Sequence, residues 1–73
     1  MEILSLVGTI SEDGPHIHVS LGDSTGKVVG GHAISLTVYT TAEIVIGNCT
    51  GLVYSRPIDA ETTWDELCVT PAL

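Results

Sequence analysis

The stretch Pro15-His16-Ile17-His18-Val19-Ser20-Leu21-Gly22-Asp23-Ser24-Thr25-Gly26-Lys27-Val28-Val29-Gly30-Gly31-His32 decides how this chain folds. It holds all three histidines and four of the eight glycines. From His16 to Leu21 polar and apolar residues alternate, the period of a β-strand, so His16, His18 and Ser20 share one face. Gly22 to Lys27 then reads as a hairpin turn. Asp23 in first place and Gly26 in fourth fit a type I turn closed by a glycine in the left-handed region. The returning strand starts at Val28, and its composition extends it to Thr41. Within it, the pair Gly30-Gly31 predicts a bulge or a close backbone approach.

Such a turn pairs Asp23 with Lys27, and counting outward from that pair sets His18 opposite His32, with His16 one diagonal step away. Opposed Cβ atoms lie about 5 Å apart and diagonal ones about 7–8 Å. Three imidazoles at those spacings can converge on one ion, since zinc takes histidine nitrogens at about 2.0–2.1 Å. The three-nitrogen set leaves a position open for water or a small ligand. The other reading of the same residues is structural, because histidines on a half-buried strand face often only bond carbonyls. Spacing alone leaves both open. Glu43, the one acid set inside an apolar strand in Ala42-Glu43-Ile44, suits a supporting position behind the histidines, a general base, or a paired place within an interface. No nucleophile elbow, phosphate loop or dinucleotide fingerprint is present.

Outside the hairpin, Glu2 to Ile10 is a β-rich run whose apolar residues do not alternate cleanly, as in a strand covered on both faces. Ser11 to Pro15 is a turn. Beyond Thr41, Ala42–Gly47 and Leu52–Arg56 read as further strands, separated by a turn at Asn48–Gly51. Pro57 stops the latter. Trp64-Asp65-Glu66-Leu67 fits either one helical turn or the approach to an edge strand at Leu67-Cys68-Val69. With no long helical pattern anywhere, the expected class is α+β, mostly β, with little helix.

Composition bounds the function. The chain has 73 residues, mean hydropathy +0.41 and 44% hydrophobic residues. A domain this small buries only about 60% of its unfolded surface, so its apolar excess predicts surface shared with another copy or with a further segment, self-association being the first expectation. The formal net charge is −7, and Lys27 and Arg56 are the only Lys and Arg. Phosphate neutralisation needs clustered cations, so direct DNA binding by these residues is not expected. No run is long enough to span a membrane. The start lacks the pattern of a secretory signal, which predicts an intracellular setting, cytoplasmic or nuclear. Cys49 and Cys68 match no metal or redox spacing and are expected as free thiols.

Four segments together resemble the PPC (plants and prokaryotes conserved) domain: Glu2-Ile3-Leu4-Ser5-Leu6-Val7-Gly8-Thr9-Ile10, His16–Leu21, Gly26–His32, and Thr41-Ala42-Glu43-Ile44-Val45-Ile46-Gly47. Arg56 and Asp59 to Leu67 are similar to that family's ending. The resemblance implies an α+β domain with a mostly antiparallel sheet, assembled as a homotrimer and related to DNA-binding proteins of transcription regulation. It further implies partner recruitment through Glu2, Ile3 and Leu4 with the adjoining Ser5 and Leu6. The histidines resemble those of prokaryotic members, where the trio looks like a site for a zinc-like divalent ion. The family's opening strand and helix have no counterpart here, so residues 1–73 are expected to be one truncated domain. No AT-hook is present, and a glycine usual after Gly30-Gly31-His32 is replaced near Leu36.

Two functions follow as expectations. The first is a non-enzymatic oligomerisation and protein-interaction module, with DNA contact indirect or carried by another segment. The alternative is a metal-binding domain using His16, His18 and His32.

Overall fold

A computed structural model describes residues 1–72. Among them are five strands and no helix: β1 (Glu2–Ser11), β2 (Gly14–Gly22), β3 (Val28–His32), β4 (Leu52–Ser55) and β5 (Cys68–Pro71). The β-dominant class expected from composition is what forms. Strands β1, β2 and β3 make one sheet in that order, and β4 pairs with β5 in a second. The chain divides into two compact units, Met1–Thr9 with Pro15–Thr40, and Ile10–Gly14 with Thr41 onward.

In the first unit, β2 and β3 are antiparallel in the register that the turn predicts, from Gly22 opposite Val28 to His18 opposite His32. The ladder runs straight through Gly30-Gly31, so there is no bulge. A Cβ on Gly30 would lie 2.9 Å from the Val19 carbonyl oxygen, so the close backbone approach is what this glycine serves.

The long strand expected from Val28 to Thr41 stops at His32. One more bond follows, the Ala33 amide donating to the Ile17 carbonyl at 2.8 Å. Continuing the register would bring Ser35 opposite Pro15, which has no N–H to donate. The strand expected at Ala42–Gly47 is also absent. A β-prone sequence becomes a strand only where another backbone edge meets its N–H and C=O groups. Among the described residues that segment has none, and Ile44, Val45 and Ile46 are exposed.

The second unit is fastened by polar groups. Strands β4 and β5 pair from Leu52 opposite Pro71 to Ser55 opposite Cys68. Of the two readings at Trp64–Leu67 the strand prevails: no helical turn forms, Asp65 bridges Ile58, and β5 begins at Cys68. Arg56 organises the loop between the strands. Its side chain is 10% exposed, with Nε 3.0 Å from Asp65 Oδ2, while Nη2 donates to the Asp65 carbonyl at 3.0 Å. Its amide donates to Asp13 Oδ2 at 2.7 Å. Asp59 Oδ1 accepts the amides of Glu61 and Thr62, and Thr63 stands at φ 65° within that turn.

Among the described residues no hydrophobic side chain is buried. Leu6, Ile17, Val19 and Leu21 are half-buried, whereas Val7, Ile34, Tyr39 and Val45 are exposed. The sheets are thus ordered by ladders and turns rather than by a closed core.

Gly8 is one place where backbone packing is tight. A Cβ there would collide with the His16 carbonyl oxygen and lie 2.7 Å from Ile17 Cα. The Gly8→Ala variant is expected to lose about 1–3 kcal/mol in urea unfolding. Gly47→Ala, where an added Cβ meets nothing within 4 Å, should stay within about 0.5 kcal/mol of the parent.

Candidate metal centre

The site is built from the turn outward. Asp23 Oδ1 accepts three hydrogen bonds, from the Thr25 hydroxyl (2.6 Å), the Thr25 amide (2.9 Å) and the Lys27 amide (3.0 Å). The Gly26 amide donates to the Asp23 carbonyl at 3.1 Å, and Gly26 sits at φ 87°, where a side chain would be strained. The Asp23 amide donates back to the Lys27 carbonyl at 3.0 Å, closing the hairpin. These donors, the Thr25 hydroxyl first, hold the Asp23 carboxyl below the usual carboxylate range.

That closed turn leaves no freedom in register. His18 and His32 oppose one another, and alternation carries His16 onto the same face. The three rings gather: centroids are 4.9 Å apart for His16 and His32, 5.4 Å for His16 and His18, and 5.6 Å for His18 and His32. Each offers one ring nitrogen such that all three nitrogens lie within 4.8 Å of one another. Three imidazoles holding one tetrahedral ion at about 2.0–2.1 Å would have centroids roughly 5 Å apart. The observed spacings bracket that value, so the residues fit a divalent ion. His16 is half-buried while His18 and His32 are exposed, so solvent reaches the cluster.

Of the other residues singled out in the sequence, Gly26 closes the turn and Gly30 admits the Val19 carbonyl, as described. Nothing lies within 4 Å of a Cβ built on Gly31. Glu2, Ile3, Leu4 and Ser5 are exposed on β1, and Leu6 is half-buried. Glu43 is exposed in the second unit, in a segment that forms no strand, contrary to the strand position expected for it.

Sequence reasoning missed two arrangements. Ser5 Oγ and Ser20 Oγ lie 2.6 Å apart, which puts a hydroxyl pair on the face that carries the histidines. The signal was Ser20, two residues past His18, but its partner on β1 needed the β1–β2 pairing. The second is the Tyr54 hydroxyl, whose ionisation is pushed up by its hydrogen bond to Cys49, with desolvation adding to the effect. Cys49 and Cys68 are both free thiols. Among the described residues no helix is long and apolar enough to cross a membrane.

Comparison with known proteins adds the family. The Plants and Prokaryotes Conserved (PCC) domain matches residues 1–50, which hold the histidines and the whole β1–β2–β3 sheet. Two curated relatives are each named bifunctional protein GlmU. One, from Synechococcus sp. strain JA-2-3B'a(2-13), is 39% identical over 72 residues, covering 97% of this chain and 11% of its own length. The other, from Synechococcus sp. strain JA-3-3Ab, is 40% identical over 68 residues, covering 92% and 11%. The chain thus spans about a tenth of the length of the curated relatives it matches. No solved structure matches it.

The turn gives a pH prediction. A carboxyl held low in the folded state contributes stability above its unfolded value, about 3.9, and loses it as pH falls through the folded value. Asp23→Ala should therefore lower the melting temperature near neutrality. The gap from the parent should narrow steadily below about pH 4. Calorimetry from pH 7 to pH 2 checks both; a gap that stays constant would contradict the role given to the carboxylate.

Proposed function

Because this chain belongs to the Plants and Prokaryotes Conserved domain family, we propose that it is a metal-binding module of that family, with His16, His18 and His32 holding one zinc-like divalent ion. The observation that carries this reading is the convergence of the three rings at 4.9–5.6 Å, with their nitrogens within 4.8 Å of one another. The register brings the rings to one face, and their nitrogens stand close enough for a single ion to reach all three. Neutral imidazoles suit zinc and its neighbours among the transition metals; calcium and magnesium prefer oxygen donors, which this set lacks. A bound ion would also cross-link β2 to β3, supplying stability where no apolar side chain among the described residues is buried.

The second part of the reading is self-association and partner recruitment, supported by a different observation. Ile34, Tyr39 and Val45 are 94%, 99% and 99% exposed, more apolar surface than a small isolated chain keeps in water. A second and third copy covering it would give the homotrimer implied by the family, and Glu2 to Leu6 would serve as the partner contact. DNA contact stays indirect, because a net charge of −7 repels the phosphate backbone. In the two Synechococcus proteins the matching stretch is a small part of a bifunctional protein, which fits a binding module better than a self-contained enzyme.

Two measurements test this. Isothermal titration with Zn(II) and Co(II) should give one ion per chain. His32→Ala should weaken binding by at least about 100-fold, since even outer partners of metal ligands are worth about 10–100-fold. No uptake of either ion by the folded parent would overturn the metal reading. Native mass spectrometry should show an assembled species at micromolar concentration, and a cooperatively folded monomer there would overturn the assembly reading.

A further inference from the structure

The face that carries the histidines continues into a second polar group. In the β2–β3 register the pair after His18–His32 on the same face is Ser20–Gly30. Ser20 Oγ is 2.6 Å from Ser5 Oγ on β1. Two hydroxyls carry two hydrogens, and their mutual hydrogen bond uses one. The second remains for another acceptor. Opposite Ser20 stands Gly30, which has no side chain to overhang the hydroxyls.

Resting on the metal reading above, we propose that the ion held by the three histidines and the Ser20 hydroxyl together form a site for a small monocarboxylate. The ion takes one carboxylate oxygen and Ser20 donates to the other. Two residues of strand separate His18 from Ser20, roughly 7 Å. An ion–oxygen bond, the width of a carboxylate and one hydrogen bond together reach about the same distance.

Charge selects the ligand class. Three neutral imidazoles leave a divalent ion's charge uncompensated, and neither β2 nor β3 carries an Asp or Glu. An anion is therefore favoured in the open position. A phosphate would want arginine or lysine donors beside the ion. The only candidates are Lys27, at the far end of the hairpin, and Arg56, paired with Asp65. A singly charged carboxylate needs no such partner.

The experiment uses the full chain loaded with Co(II), whose visible absorption reports a change of ligand. Sodium acetate is titrated against sodium chloride at constant ionic strength. Acetate should alter the spectrum saturably, with chloride much weaker. Ser20→Ala should weaken acetate by about 10–100-fold, the worth of a hydrogen bond to a charged group, with Co(II) affinity kept. Ser20→Thr, which keeps a hydroxyl, should restore acetate affinity. A spectrum indifferent to acetate, or equal acetate affinity in the parent and Ser20→Ala, overturns the carboxylate site while leaving the metal site standing. Failure of the parent to take up Co(II) overturns both.

Discussion

Everything at the candidate centre depends on one carboxylate. Asp23 Oδ1 gathers the Thr25 hydroxyl and two backbone amides, and so fixes the turn in which Gly26 adopts φ 87°. The turn fixes the register, and the register decides which side chains meet. A slip of one residue would send His32 to the opposite face from His16 and His18 and dissolve the cluster. A surface turn whose own side chains are largely exposed thereby governs the His18–His32 pair several residues further along both strands. Hairpins transmit position in this way because side-chain direction has a period of two, so an error in register reverses a face instead of shifting it slightly.

The second constraint is that no apolar side chain among the described residues is buried. Ladder hydrogen bonds and loop networks such as Arg56 with Asp65 order the backbone, but each is worth only about 1 kcal/mol net when water can compete. The hydrophobic term that stabilises most domains requires apolar side chains to leave water, and here none among the described residues is buried. A metal cross-link between β2 and β3 and the covering of apolar faces by other copies are two of the ways small domains make up that shortfall. Both are drawn from features this chain already shows, the first from its histidines and the second from its exposed Ile34, Tyr39 and Val45.

Chemically, three imidazoles without a protein carboxylate make an unusual pairing with so acidic a chain. The acidic residues that give the net charge of −7 lie elsewhere, among them Glu2 on β1, Glu43 and those of the Asp59–Glu66 loop, and none lies on β2 or β3. A cation at the cluster would thus keep its charge available to an incoming ligand while the rest of the surface repels polyanions. Selectivity of this kind comes from the position of charge and not from its total.

The sequence by itself determined the strand character of the chain, the hairpin turn and the opposition of His18 and His32. Each of these follows from short-range rules: alternation, turn chemistry, and counting outward from Asp23 and Lys27. The close approach at Gly30 was legible on the same grounds. Tertiary structure alone decided where strands end and which hydroxyl meets Ser20. The run from Ile34 to Thr41 and the segment Ala42–Gly47 have the composition of strands yet form none, because a strand exists only where another backbone satisfies its polar groups. Ser5 joins Ser20 only through the pairing of β1 with β2, and Arg56 finds Asp13 and Asp65 only when distant loops meet. Local patterns settle what a segment prefers; whether a partner edge is present settles what it becomes.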